Sequence, residues 1–292
     1  MSKQFNKGLI LTSLGSFWWG FIGVIYFEMV SFIGHIELVV HRCIWTAVML
    51  IFTTILFKKW NIFKSTVFNK KNLIYLFFSG LLIFINWAIW IYAVATNRII
   101  DASFGYFIMP ILSVLLGYIF FKEELNKKRF FSILLVFISI FFMIFFNLKS
   151  LPWVGIIVAL SWALYNAVRK KINVDTDIGL LIESLYIFPF AIVVFYIITT
   201  KGYNDFSMNN PKLSLFLLLA GPMTVIPLFL YVRGVELIGL GPTGMIFYIT
   251  PTLQFILGYF YYNEEFSLVK FVSFIIIWIA VIIYLKDLYE KN

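Results

Sequence analysis

Ten hydrophobic stretches separated by short polar breaks fill almost the whole chain. Crossing a hydrocarbon core takes about 20 apolar residues in a helix, and each stretch is close to that length. Only 13% of the residues are charged, about half the share of a soluble domain. The sequence therefore predicts an all-α integral membrane protein with ten transmembrane helices. The predicted spans are residues 8–29, 36–57, 73–96, 102–121, 130–146, 153–168, 178–199, 213–231, 240–262 and 266–285.

The chain has a net charge of +9, and its basic residues are distributed according to the two sides of the predicted membrane spans. This distribution does not indicate a nucleic-acid-binding surface. Most lysines and arginines fall in the breaks on one side of the predicted spans, and such an excess is typical of cytoplasmic loops. We therefore expect an even number of crossings in a bacterial inner membrane, with both termini in the cytoplasm. The longest breaks, 58–72 and 200–212, are too short for a soluble domain, so function has to lie among the helices.

An internal repeat divides the chain. Residues 110–125 and 251–266 align without a gap at a shift of 141 residues and share seven of sixteen residues, which include a proline, a glycine and a Glu-Glu pair. Each copy holds five crossings, an odd number, so the second copy has to enter the membrane from the opposite side. We expect two inverted five-helix repeats, residues 1–146 and 151–287. Such repeats suit a carrier that presents one central site to two sides in turn.

Several local motifs resemble a known family. They include His41-Arg42-Cys43-Ile44-Trp45, Asn86-Trp87, the segment 101–110, Ile182-Glu183 and the segment 248–253. Together with the double five-helix repeat they resemble the EamA branch of the drug/metabolite transporter superfamily and, within it, the RarD-type permeases. The resemblance implies ten helices around a central cavity and a secondary carrier without a cofactor. The chain departs from the family pattern at the ends of spans four and nine, where Lys122 and Asn263 stand in place of the usual glycine.

Glu183 is the clearest ionisable residue inside a predicted span. A charge near the bilayer centre costs about 2.5 to 3.5 kcal/mol on insertion scales, so it requires a partner or a cavity. Glu183 is a candidate proton-coupling carboxylate or counter-charge for a solute. The alternative is a structural ion pair with Arg169 or Lys170.

His41 and Arg42 follow the first outer turn of the chain. As neighbours on a helix they point about 100° apart, so they cannot both face one cavity equally. Arg42 is a candidate for attracting an anion or for gating, with its charge balanced by Glu28, Glu37 or Asp101. The alternative is an interfacial arginine whose side chain extends to the membrane surface. His41 is a candidate for responding to external pH.

Span three places Asn86, Trp90 and Asn97 on one helical stripe. A buried amide needs a polar neighbour, so this stripe is predicted to line the cavity. The alternative is that Asn86 forms one hydrogen bond that holds two helices together.

Spans four and nine each carry a tyrosine and a proline among the candidates. Tyr106 and Tyr248 are predicted to contact the solute, and Pro110 and Pro251 are predicted hinges, because a proline removes one helical hydrogen bond.

The sequence favours a secondary or facilitative carrier for a small organic solute, such as an amino acid, a metabolite or an amphiphilic drug. We expect the protein to be surrounded by the lipid bilayer and to have no nucleic-acid partner, cofactor or metal. Protons as a coupling ion, the direction of transport and the oligomeric state are left open. The alternative is a membrane-embedded enzyme, a protease or an acyltransferase, which needs a clustered nucleophile and base or a metal site.

Overall fold

The computed structural model of the protein describes residues 3–96, 98–147, 153–261, 263 and 268–291, and its regular secondary structure within those ranges is helical. The helices are α1 (Lys3–Phe17), a π-helical turn (Trp18–Ile22), α2 (Gly23–Met29), α3 (His35–Leu56), α4 (Trp60–Val67), α5 (Lys70–Ala95), α6 (Ile99–Phe121), α7 (Lys127–Asn147), α8 (Trp153–Lys171), α9 (Thr176–Thr200), α10 (Pro211–Ile238), α11 (Leu240–Ile246), α12 (Ile249–Phe260) and α13 (Leu268–Lys291).

Eight helical stretches in the described ranges are long and apolar enough to cross a membrane. The other two predicted spans correspond to α8, which ends in three cations, and to α11 together with α12. The prediction of an all-helical integral membrane protein is confirmed. The expected ends of spans nine and ten, Tyr262 and Phe266, lie outside the described residues.

Span nine is broken in its middle. Helix α11 ends at Ile246 and α12 begins at Ile249. Pro251 has no N–H to donate to the carbonyl oxygen of Phe247 four residues earlier, and the N–H of Thr250 bonds to that oxygen instead. Helix α12 thus begins just before Pro251, whereas Pro110 lies within the continuous helix α6. The hinge roles of both prolines stay predictions.

Span one is irregular at the same depth. Its π-helical turn at Trp18–Ile22 packs against α12. Gly20 permits this contact, since a Cβ atom there would lie 2.9 Å from the backbone oxygen of Thr250. Thr250 in turn donates a 2.9 Å hydrogen bond to the carbonyl oxygen of Ser16. π-Helical turns are frequent at functional sites, and this one adjoins the break in span nine.

The packing of the helices repeats between the two halves. The contact of α1 with α10 corresponds to that of α8 with α5, and the contact of α3 with α10 corresponds to that of α9 with α5. Three further contacts, α3 with α9, α6 with α11 and α7 with α13, join equivalent spans of the two halves. Exchanging the halves therefore maps the main interfaces onto themselves, as expected for two structural repeats.

Equivalent spans run in opposite directions. Gly244 of α11 lies against Pro110 and Ser113 of α6, and Tyr248 further along the chain lies against Phe107. Residue numbers rise along one helix as they fall along the other, so spans four and nine are antiparallel. This is the inverted arrangement predicted from the repeat, although Glu264 and Glu265 of the second copy lie outside the described residues.

Charged residues gather at one end of the bundle, where α6 and α8 end and α9 and α11 begin. The Nζ atom of Lys59 lies 2.8 Å from a carboxylate oxygen of Asp177 and 3.3 Å from one of Asp175. Burial alone would lower the pKa of Lys59, but these hydrogen bonds and charges outweigh that effect and raise it. We refer to this end of the bundle as the basic end.

Candidate functional site

Arg42 lies between three helices and not at the outer surface of the bundle. Its Nε atom donates a 3.2 Å hydrogen bond to the hydroxyl of Thr224 on α10. The guanidinium carbon lies 4.9 Å from the ring centroid of Trp87 on α5 and 5.5 Å from that of Phe27 on α2. Such contacts are attractive because a ring face carries partial negative charge. Arg42 is half-buried, and its side chain is held inside the bundle.

Arg42 forms no ion pair with a carboxylate whose position the structure describes. Glu37, one of its expected counter-charges, instead accepts hydrogen bonds from the backbone N–H groups of Asp205 (2.8 Å) and Phe206 (3.3 Å). The side chain of Asp101, another expected partner, lies outside the described residues.

His41 faces away from Arg42. Its Nδ1 atom accepts a 3.0 Å hydrogen bond from the indole N–H of Trp45, and its Nε2 atom lies 3.6 Å from a Glu37 oxygen. The ring is buried between the rings of Phe195 and Phe206. His41 therefore lies in a different environment from Arg42, as their adjacent positions on a helix require.

An aromatic cluster joins the two halves. The ring centroids of Trp90 and Tyr106 are 5.6 Å apart, and that of Phe247, at the break in span nine, lies 6.0 Å from Tyr106. The cluster continues to Tyr231 and Trp19. The structure thus brings Trp90 and Tyr106 together next to a helix break. Tyr248 is fully buried and donates a hydrogen bond to the backbone oxygen of Phe107, so it faces α6.

A central cavity lies between spans two and three of the first half and the equivalent spans seven and eight of the second. Its walls are largely apolar, and its lining includes Cys43, Leu50, Ile83, Trp87, Glu183 and Val225. It is narrow and admits about one water-sized molecule. Trp87 both lines this cavity and stacks on Arg42, so Arg42 adjoins one end of it.

Glu183 lies at the cavity wall in a dense polar network. Its Oε1 atom accepts a 2.5 Å hydrogen bond from Ser79, and its Oε2 atom accepts a 3.1 Å bond from Tyr165. The Nε atom of Arg169 lies 3.6 Å from Oε1, and Arg169 also lies 3.9 Å from a carboxylate oxygen of Glu236. Glu183 and Arg169 are 2% and 1% exposed. The structural ion pair considered above is therefore present, and it borders the cavity.

Asn86 joins two helices. Its amide group donates hydrogen bonds to the carbonyl oxygen of Val158 (2.9 Å) and to the hydroxyl of Ser161 (3.0 Å) on α8. This geometry matches the alternative in which Asn86 holds helices together. Asn97, the end of the predicted stripe, lies outside the described residues.

Glu123, just after α6, joins several helices at the basic end. Its two carboxylate oxygens accept 2.8 Å hydrogen bonds from the backbone N–H groups of Leu240 and Gly241, at the start of α11. The same carboxylate binds the ammonium group of Lys170 at the end of α8. A single carboxylate thus links three spans. Nearby, Arg129 of α7 pairs with Asp287 of α13 at 2.8 Å.

Sequence reasoning missed several residues of this site. Ser79 and Thr224 carry no sequence signal, because isolated hydroxyl residues are common in membrane helices. Trp87 belongs to the motif Asn86-Trp87, but its contact with Arg42 depends on how α3 packs against α5. Among the side chains that the structure describes, no group of three His, Cys, Asp or Glu residues is placed to hold a metal ion.

Comparison with known proteins places this geometry in context. The model of the EamA-like transporter family matches residues 6–145 and again residues 150–286. The chain is 30% identical to Protein RarD of Escherichia coli (strain K12), over 98% of this chain and 96% of the relative. It is 33% identical to an uncharacterized transporter of Vibrio cholerae, over 97% of this chain and 93% of the relative. A crystal structure that is 11% identical superposes with a TM-score of 0.72, over 95% of this chain and 96% of that one, and it supports the fold alone.

Proposed function

The chain belongs to the EamA-like transporter family, and on that premise we propose that it is a secondary carrier for a small organic solute, working by alternating access. As a family member it is a multi-pass membrane transporter. We further propose that the protein lies in a bacterial inner membrane with both termini in the cytoplasm, so that the basic end faces the cytoplasm.

The central cavity is the observation that carries this proposal. It lies between α3 and α5 of one half and α9 and α10 of the other, and it has Arg42 beside one end and Glu183 at its wall. Ligand sites of carriers with inverted repeats lie near the bilayer midplane at the interface between the repeats. Apolar walls with few polar groups suit an organic solute. The cavity has to widen to admit one, and the packing of two similar halves lets it widen from either side.

The contacts of Glu123 at the basic end support alternating access. Glu123 connects the end of α6 with the start of α11, so one broken set of contacts would separate the antiparallel pair at that end. The π-helical turn of span one and the break in span nine lie near the aromatic cluster. We propose that the helices rock about these irregular segments while Glu123 opens and closes the cytoplasmic side.

Glu183 is the proposed coupling residue. Protonation would remove its charge from Arg169, which would then keep Glu236 as its nearby carboxylate. A proton would in this way change the contact of Arg169 on α8 with α9. Exchange of two solutes and facilitated diffusion are the alternatives, and they predict transport that is independent of a proton gradient.

Counterflow in proteoliposomes tests the proposed function. Vesicles with purified protein are preloaded with unlabelled amino acids and organic acids, and the entry of each labelled compound is followed by mass spectrometry. A carrier gives saturable entry of an unchanged compound, above that of protein-free vesicles. Entry equal to that of protein-free vesicles for the whole panel would contradict the proposal. Recovery of a covalently altered compound would favour the membrane-embedded enzyme.

A further inference from the structure

Three arginines inside the bundle differ in how their charge is balanced. Arg129 lies 2.8 Å from Asp287, and Arg169 lies 3.6 Å from Glu183. Arg42 pairs with no carboxylate in the part of the chain that the structure describes, although it sits in the same bundle. An ionised residue within a membrane span requires compensation. We propose that Arg42 binds the anionic group of the transported solute, which is a small organic carboxylate with an apolar body.

The orientation of the guanidinium supports an anion site. Nε is engaged by the hydroxyl of Thr224, and the aromatic rings of Trp87 and Phe27 lie within cation-π distance of the group. These contacts stabilise the positive charge without neutralising it. The two terminal nitrogens together present a planar fork, and a carboxylate binds such a fork through two parallel hydrogen bonds.

The surroundings of Arg42 select the remainder of the solute. Trp87 extends from the guanidinium to the central cavity, where the next side chains are Cys43, Ile83 and Val225. One turn further along α5 lies Trp90, whose ring centroid is 5.6 Å from that of Tyr106. A solute held at Arg42 by its carboxylate would therefore place its hydrocarbon or aromatic part against apolar walls. A cation of the same shape would be repelled by the charge of Arg42.

The second charged group at the cavity does not change this preference. Glu183 already accepts hydrogen bonds from Ser79 and Tyr165 and pairs with Arg169. Its negative charge is thus balanced within the protein, whereas no carboxylate among the described side chains balances the positive charge of Arg42. This inference rests on the proposed function, because it names the solute of the same cavity.

Binding to purified protein in neutral detergent micelles tests the inference directly. The probes are phenylacetate and indoleacetate, each compared with its uncharged amide, and phenethylammonium as the cation. We expect the carboxylates to bind about tenfold or more tightly than their amides, since charge-assisted hydrogen bonds are stronger than neutral ones. Arg42→Gln should reduce carboxylate binding to the level of the amide and leave amide binding unchanged.

Arg98→Gln is the matched control. Arg98 also stacks on a tryptophan, with its guanidinium carbon 4.7 Å from the ring centroid of Trp153, and the substitution removes the same charge. Carboxylate binding should survive it. Arg42→Lys keeps the charge but loses the fork, so it should retain a weakened preference for the carboxylate. That variant decides the question if Arg42→Gln does not fold.

Several results would overturn the inference. They are equal binding of carboxylate and amide, preference for the cation, no binding of any probe, and unchanged carboxylate binding in Arg42→Gln. Phosphatidylglycerol added to the micelles separates a solute site from a lipid site. If that lipid alone binds in an Arg42-dependent way, the site belongs to a headgroup and the proposal fails. Counterflow that persists in Arg42→Gln would reject the anion site and leave the proposed carrier function intact. Arg42-dependent probe binding without transport would support the anion site and reject the carrier function.

Discussion

The hydroxyl of Tyr248 donates a 2.8 Å hydrogen bond to the backbone oxygen of Phe107, and the two residues are 141 positions apart. That separation equals the shift that aligns the two halves of the sequence, so Tyr248 contacts its own counterpart in the other repeat. Such a contact lies close to the axis that relates the repeats. The hydrogen bond therefore ties spans four and nine together at their crossing.

Tyr248→Phe should weaken this crossing. Losing one buried hydrogen bond costs about 1 kcal/mol, and for a chain of this size that corresponds to a fall of about 2–4 °C in unfolding temperature. Thermal unfolding in detergent measures it. Tyr118→Phe is the control, because Tyr118 is 52% exposed on the outside of α6, and it should leave the unfolding temperature unchanged. An equal effect of both variants would contradict the assigned role.

Glu183→Gln should lower transport per folded molecule by roughly tenfold or more, the effect of about 1.4 kcal/mol. The substitution leaves the charge of Arg169 without its closer carboxylate, and an unpaired buried charge is destabilising. Counterflow normalised to folded protein separates the two effects. The double variant Glu183→Gln with Arg169→Gln should recover stability but not transport. Full transport by Glu183→Gln would remove this carboxylate from the mechanism.

Glu123→Gln should open the basic end, which we propose faces the cytoplasm. The variant loses a charged acceptor for the N–H groups of Leu240 and Gly241 and the ion pair with Lys170. Cys43 reports the opening, because it is the single cysteine of the chain and lines the cavity.

In inside-out vesicles, a membrane-impermeant thiol reagent should label Cys43 about tenfold faster in Glu123→Gln, since charge-assisted hydrogen bonds contribute about 1.5–3 kcal/mol each. Glu290→Gln removes an exposed carboxylate that pairs with Lys128 at the same end, and it should leave the rate unchanged. Equal rates in the two variants would rule out Glu123 as the closing contact.

Gly105→Ala should destabilise the packing of α6 against α8. A Cβ atom at Gly105 would lie 2.6 Å from the backbone oxygen of Gly155, so one helix has to shift. Overpacking of this kind costs about 1–3 kcal/mol, and a thermal unfolding curve measures it. At Gly34 nothing lies within 4 Å of the added atom. Gly34→Ala should therefore unfold at the temperature of the unchanged protein, and a shift there as large as that of Gly105→Ala would argue against the steric explanation.

The sequence by itself determined the membrane class, the inverted repeat and the few ionisable residues within the spans. Apolar length and repeated motifs are local properties that the surrounding lipid and the helix repeat impose on the chain, so they can be read without coordinates. The family resemblance proposed from Arg42, Glu183 and the segment 101–110 was confirmed by the match of both halves to the EamA-like family.

Only the tertiary structure decided which charges are balanced. Glu37, expected beside Arg42, instead binds the backbone of Asp205, 168 residues away, while Thr224, 182 residues away, meets the guanidinium. The sequence showed Glu123 only as part of a repeated motif, whereas the structure places it against the start of α11, where it accepts two backbone hydrogen bonds. The physical reason is that a polar group in a membrane bonds to whichever neighbour the helix packing supplies, and that packing joins positions far apart in the chain.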